Sequence, residues 1–192
     1  MAESTKGGFT FPEFYSYPPY FTIQPVKATR EKQLACWREM LLAWCRHDRV
    51  FEIDVATCPV FENKSINRSL NLEARQVIIG DLLSQGYATA DPSAEGKSAA
   101  TKAAGVKSVY VLWRSMSEWE STLLDWAHRT AQDVLTIDEL CNPEQGGEVG
   151  ADELFCGMPK NLMRAVLRRL EKQGKVTIFQ GGAQDDEGVK FS

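Results

Sequence analysis

Six aromatic side chains and three prolines fall within eleven residues, Phe11-Pro12-Glu13-Phe14-Tyr15-Ser16-Tyr17-Pro18-Pro19-Tyr20-Phe21. Residues of these types at this spacing offer one kind of chemistry, recognition through buried aromatic surface. Each proline fixes its own φ, removes a backbone donor and pushes the preceding residue toward an extended conformation, so the segment is predicted to be polyproline II or irregular extended chain. Burying one aromatic side chain contributes about 1.5–3 kcal/mol, against about 1–2 kcal/mol for ordering each backbone residue. Proline has already removed part of that freedom, so these rings can bind with a small ordering loss. Phe11, Pro12, Phe14, Tyr15, Tyr17, Pro18, Pro19, Tyr20 and Phe21 therefore form the candidate partner-binding set. A second expectation competes with it. Terminal segments often dock on their own domain, and the same rings would then cover the first domain of this chain.

A second candidate surface is cationic. The helix expected from Pro159 to Gln173 carries Lys160, Arg164, Arg168, Arg169 and Lys172 against Glu171 alone. Duplex nucleic acid binding depends on phosphate neutralisation, yet the chain has a formal net charge of −4 and the adjoining loop Gly181–Gly188 is acidic. The corresponding helix of the first half sets Glu73 and Asp81 against Arg75. Charge thus argues against nucleic acid and leaves two readings, a solvated basic face or a surface for an acidic protein partner, with Arg164, Arg168 and Lys172 as the candidate partner face.

Catalysis needs a nucleophile, a base or a metal in a constellation, and the chain supplies none in recognisable form. His47 and His128 fall in last-turn positions of expected helices, where imidazole suits the helix dipole. The five cysteines, Cys36, Cys45, Cys58, Cys141 and Cys156, are odd in number and lack paired C-x-x-C spacing, so they are expected reduced and without zinc. Gly96-Lys97-Ser98 resembles the end of a phosphate loop, but the earlier glycine that loop requires is replaced by Asp91. No catalytic residue, cofactor or metal is expected. Trp37, Trp44, Trp119 and Trp126 lie on helical spacings with Leu or Met, which points to core rather than to a base-stacking platform; Trp113 alone does not.

The elements that must position these residues repeat. Leu82-Leu-Ser-Gln-Gly-Tyr-Ala-Thr89 aligns with Leu170-Glu-Lys-Gln-Gly-Lys-Val-Thr177, and Ile78, Ile79 and Leu82 fall against Val166, Leu167 and Leu170. Each half reads as helix, strand, helix, helix and closing hairpin, with Gly86 and Gly174 as left-handed helix stops. In the first half, Thr29 is the expected cap of a helix through Asp48. A strand at Phe51–Asp54, a helical turn near Phe61–Asn67, a helix capped by Asn71 and strands at Tyr87–Ala90 and Ser108–Trp113 follow. In the second half, Ser117 and Glu120 have capping-box spacing. Strands are expected at Val134–Thr136, Lys175–Gln180 and Gly188–Phe191, with a short helix at Ile137–Cys141 and an acidic loop over Asn142–Asp152. The small, polar stretch 91–105 reads as a mobile insertion. This order is that of the winged helix. The predicted class is α+β, with an extended Pro/aromatic arm over 1–28, a first winged helix over 29–115 and a second over 116–192.

A hydrophobic share of 43% with 25% charged residues fits a globular protein of one or two domains. The apolar runs are far shorter than a membrane span and no secretory signal is apparent, so the chain is expected in the cytosol, and Asn63-Lys64-Ser65 and Asn67-Arg68-Ser69 are chance matches to the glycosylation pattern. With no basic amphipathic helix or lipidation signal, any membrane contact is expected to be indirect.

The opening Phe11 to Pro25, the run Thr29-Arg30-Glu31-Lys32-Gln33-Leu34-Ala35 with Trp37, Trp113-Arg114, Glu118-Trp119 and the ending Gly188-Val189-Lys190-Phe191 resemble the vacuolar protein sorting protein 25 family, subunits of the endosomal complex ESCRT-II. The resemblance implies tandem winged helices and a Y-shaped complex in which two copies join one copy each of two other subunits. It implies docking on those subunits through two Pro-Pro-x-aromatic motifs. Pro18-Pro19-Tyr20-Phe21 matches the second, whereas Glu13 replaces the second proline of the first, Pro12-Glu13-Phe14-Tyr15. It further implies that the second winged helix, about 117–192, recruits a myristoylated ESCRT-III subunit during multivesicular body formation, with peripheral recruitment to the endosomal membrane and no enzymatic activity. A winged-helix transcription or chromatin factor is the alternative from another class, and an enzyme with an unrecognised pocket is a third.

Overall fold

The computed structural model describes residues 5, 6, 8–93, 105–142, 149, 150, 152–180 and 187–192. The phosphate-loop look-alike at 96–98, most of the insertion 91–105, the acidic stretch 181–186 and most of the loop 142–152 lie outside them. The fold is α+β, in two compact units: Met1–Asp91 with Gly96–Trp113, and Pro92–Glu95 with Arg114–Ser192.

The first unit opens with a small hairpin, β1 (Thr5–Lys6) against β2 (Phe9–Thr10), and two consecutive 3-10 turns, Glu13–Ser16 and Pro18–Phe21. The Pro-rich arm is therefore compact where an extended chain was expected. The reason is local: a proline φ near −65° suits the start of a 3-10 turn as well as polyproline II, and Pro12 and Pro18 stand at or just before these starts. Helix α1 (Lys27–Asp48) follows and turns Gln33, Trp37, Met40, Leu41, Trp44 and Cys45 inward. Thr29 does not cap it, because the ladder starts earlier, with Arg30 N donating to the Val26 carbonyl at 2.9 Å. Strand β3 (Glu52–Asp54) leads to the 3-10 turn Pro59–Phe61. The expected helical turn follows as the 3-10 turn Lys64–Ile66, enclosed in a tight hairpin of β4 (Glu62–Asn63) and β5 (Arg68–Ser69) that local spacing does not reveal. Asn67 at φ 51° reverses the chain, and the Asn63 carboxamide holds the start of the turn by accepting from Ser65 N at 3.0 Å. Helix α2 (Leu72–Ser84) is capped as expected, with Asn71 Oδ1 accepting from Ala74 N at 2.8 Å. Strands β6 (Ala88–Thr89) and β7 (Ser108–Val111) complete an antiparallel sheet of order β3-β7-β6.

The second unit contains α3 (Met116–Thr130), β8 (Val134–Thr136), α4 (Ile137–Cys141), α5 (Lys160–Lys172), β9 (Val176–Gln180) and β10 (Glu187–Phe191), with sheet order β8-β10-β9. Both units thus place the last strand between the first and the middle one, so the repeat read from the residues extends to strand pairing. The two stop glycines adopt φ 77° at Gly86 and 72° at Gly174, the left-handed conformation the repeat predicts. The capping box of α3 is Ser115 with Glu118, two residues before the expected pair. Glu120 cannot reach back to the helix start because its carboxylate is buried against Arg169 and Gln173 of α5 and its end. All five tryptophans are buried in the two cores.

Candidate partner-docking surface

The arm divides into rings that the chain keeps and rings that it presents. Phe11, Tyr15 and Phe21 are buried within the first unit. Tyr15 stacks on Phe11 with ring centroids 4.2 Å apart, and Trp37 of α1 meets Phe21 edge-on at 5.4 Å and Tyr15 at 6.2 Å. Pro12, Tyr17, Pro18 and Pro19 face outward, with Tyr17 58% exposed, while Phe14 and Tyr20 are half-buried and pack together at 4.8 Å. Of the nine candidate residues, three are buried in the chain's own core, and the half-buried ring of Phe14 also meets Trp37 edge-on at 5.7 Å.

The backbone of both turns is tied to the domain by polar side chains that sequence reasoning left out. Gln33 is buried; its Nε2 donates to the carbonyls of Tyr20 at 3.0 Å and Thr22 at 2.9 Å, while its Oε1 accepts from Gln24 N at 3.1 Å. Trp37 Nε1 donates to the same Tyr20 carbonyl at 3.0 Å. Gln24 Nε2 donates to the carbonyls of Pro19 at 2.9 Å and Thr22 at 3.0 Å. On the other side, buried Asn63 donates Nδ2 to the Tyr15 carbonyl at 2.7 Å, and the Tyr15 hydroxyl donates to the Glu62 carbonyl at 2.9 Å. A signal for Gln33 did exist: it is a polar residue in phase with the apolar stripe Trp37, Met40, Leu41 and Trp44. Asn63 fills the first glycosylation-pattern position, yet its amide nitrogen is buried and already bonded to Tyr15.

Burial raises the Tyr15 phenol above its ordinary pKa of 10.0, and the neighbouring Cys58 and Glu62 act in the same direction. The neutral form is the one the fold accepts. The linked stability is therefore fully present below the unfolded value and lost as pH rises past it toward the folded value. Thermal melts are expected to fall steeply above about pH 10, and Tyr15→Phe is expected to flatten that fall while losing about 1 kcal/mol at neutral pH with its hydrogen bond. An equal slope in both proteins would remove Tyr15 from the effect.

The basic helix is less available than its composition implies. Lys160 Nζ lies 2.8 Å from Asp138 Oδ1, Arg164 Nε donates to Glu187 Oε2 at 2.5 Å and Arg169 pairs with Glu120. Lys160 lowers the pKa of the Asp138 carboxyl, with Asn142 assisting. Arg168 and Lys172 remain exposed. In the first unit Arg75 is a strut, donating Nε to the Leu70 carbonyl at 2.9 Å, and Asp81 pairs with Arg38 at 2.5 Å. The alternating charges of α2 and α5 are in this way largely spent inside each unit. Cys45, Cys58 and Cys141 are buried, Cys36 and Cys156 half-buried, and none forms a disulfide. Among the described residues, no group of three or more His, Cys, Asp or Glu could hold a metal, and no helix is long and apolar enough to cross a membrane.

The ESCRT-II complex subunit family matches residues 14–159, from inside the aromatic arm to the start of α5. The chain belongs to that family. Within it, the chain is 34% identical over 187 residues to the vacuolar protein sorting-associated protein 25 of Arabidopsis thaliana, with 96% of each chain covered. It is 33% identical over 188 residues to that of Danio rerio, covering 95% of this chain and 98% of the relative. The crystal structure of subunit VPS25 of the endosomal trafficking complex ESCRT-II superposes with a TM-score of 0.76 at 25% identity, covering 95% and 98% of the two chains. The fold also matches a chain in the crystal structure of endosomal complex ESCRT-II (VPS22/VPS25/VPS36), with a TM-score of 0.74 at 23% identity over 94% and 98%. The fold of the family is thus found along almost the entire length of the chain.

Proposed function

We propose that this chain is a non-enzymatic ESCRT-II subunit of endosomal sorting to multivesicular bodies, and that its aromatic arm docks it on the two other subunits of the complex. One observation carries the docking assignment: Tyr17, Pro18 and Pro19 project from a turn whose backbone is held by the domain beneath. A proline pair beside exposed aromatic surface, fixed before contact, meets a partner with little ordering loss. Pro12, Phe14 and Tyr20 border this surface, while Phe11, Tyr15 and Phe21 support it from within. Glu13 is exposed in the first turn, so that turn offers one proline where the second offers two.

The arm over 1–28 and winged-helix domains over 29–115 and 116–192 are our division of the chain. It is supported by the shared element order and shared strand order of the two units. Two copies per complex, and a link from the second domain to a myristoylated ESCRT-III subunit, complete the reading. Arg164, Arg168 and Lys172 of the basic helix are the candidate residues for that link, with Arg168 and Lys172 exposed. The protein works in the cytoplasm and reaches the endosomal membrane through its partners. The pairing of three cations of α5 with carboxylates weakens the duplex-binding alternative.

The test is the solution mass of this chain mixed with the other two ESCRT-II subunits. Wild type is expected to assemble with two copies, and Tyr17→Ala/Pro19→Ala to bind at least about 30-fold more weakly with an unchanged melting temperature, the loss of about 2 kcal/mol expected for a contact hot spot. Assembly of the variant at wild-type affinity would refute the docking role of the turn.

A further inference from the structure

Tyr20 and Thr22 each offer their carbonyl to two side-chain donors of the same domain, an investment in a surface turn that the hydrophobic core does not need. Gln33 supplies one donor to each, Trp37 the second to Tyr20 and Gln24 the second to Thr22, while Gln24 also holds the Pro19 carbonyl. Gln33 is 2% exposed, and its third bond returns to Gln24 N, so the two glutamines form a closed unit around Pro19–Gln24. Neither amide is needed to bury a ring: Phe21 already packs on Trp37 and Tyr15. The atoms they fix are backbone atoms of the turn that carries Tyr17, Pro18 and Pro19.

We propose that Gln33 and Gln24 are positioning residues for partner docking: they touch no partner but hold the Tyr17–Pro19 turn in its binding geometry, so that the docking affinity is set in part from inside the first domain. The proposal rests on the docking reading above. Its physical content is preorganisation. When only a fraction of molecules hold the competent turn, the apparent dissociation constant rises by the inverse of that fraction. The backbone of this turn has few other restraints on its outward side, where Tyr20 N donates to the Tyr17 carbonyl at 3.1 Å and Thr22 N to that of Pro19 at 3.3 Å.

The test titrates full-length chains into the subcomplex of the other two ESCRT-II subunits, comparing wild type, Gln33→Leu, Gln24→Ala and Pro19→Ala, with hydrogen exchange at the Thr22 amide measured on the unbound chains. Gln33→Leu and Gln24→Ala are expected to bind about tenfold more weakly, with Thr22 exchanging faster by a comparable factor. Gln24 sits at the surface edge of the unit, so its variant decides the matter should Gln33→Leu not fold. Wild-type affinity for both glutamine variants beside a weakened Pro19→Ala would overturn the positioning role and leave docking intact. Faster exchange at Thr22 without lost affinity would overturn it equally. A Pro19→Ala chain that binds like wild type would instead remove the docking reading, and this proposal with it.

Discussion

Trp37→Ala is expected to lower the stability of the first unit by about 3–5 kcal/mol, a large part of what a domain of this size possesses. Trp37 is fully buried, and its indole lies edge-on to Phe14 at 5.7 Å, Tyr15 at 6.2 Å, Phe21 at 5.4 Å and Phe61 at 6.2 Å. Truncation removes transfer energy and leaves a cavity among rings too large to collapse into it. It also strips one donor from the Tyr20 carbonyl. The arm should come away with the helix, so limited proteolysis near Phe14 and Tyr17 is expected to quicken along with the drop in denaturation midpoint. Trp37→Phe retains most of the packing and should lose only the hydrogen bond and part of the ring, about 1–2 kcal/mol. A Trp37→Ala midpoint close to wild type would mean that the arm does not pack on α1 in solution.

Removing one side of the Glu120–Arg169 pair is the second large effect. Glu120 is 7% exposed on the inner side of α3, and its carboxylate accepts from Arg169 Nε and, at 2.8 Å, from Gln173 Nε2. The pair joins α3 to α5, the two long helices of the second unit. Arg169→Leu would leave a buried carboxylate with a single amide donor, at a cost of about 1.5–3 kcal/mol, kept at that level because the arginine side chain is 40% exposed and water can reach it. Glu120→Leu/Arg169→Leu is expected to recover most of this loss, since two apolar chains of similar size need no counter-charge. A double-mutant cycle by chemical denaturation reads the coupling directly; additive losses would show the two groups to be independent.

Both effects come from polar or aromatic residues whose partners lie far along the chain. Glu120 illustrates how spacing misleads. Ser115-Met-Ser-Glu-Trp-Glu120 contains two overlapping capping boxes, and only the position of α5 decides that Glu118 caps while Glu120 turns inward. Asn63 and Tyr15 make the same point, being 48 residues apart and bonded. The 3-10 turn Lys64–Ile66 is held by local bonds and is legible from spacing, whereas the pairing of Glu62–Asn63 with Arg68–Ser69 around it is not. Proline φ fits both extended chain and the 3-10 turn, and packing on Trp37 selects the turn. By contrast, Asn71, Gly86, Gly174 and the helix Ile137–Cys141 act through bonds within a few residues, and each was legible from local spacing.

The sequence by itself determined the duplication, the α+β class and the positions of most helices and strands. Periodicity, caps and glycine stops are local, and their physics is complete within a few residues of chain. Tertiary structure alone decided which arm rings are presented and which are kept, and which cations of α5 are already paired. Burial and ion pairing are sums over neighbours brought together from distant parts of the chain. Phe21 and Tyr17 are alike in composition and separated by four positions, yet the first lies on Trp37 and the second faces solvent.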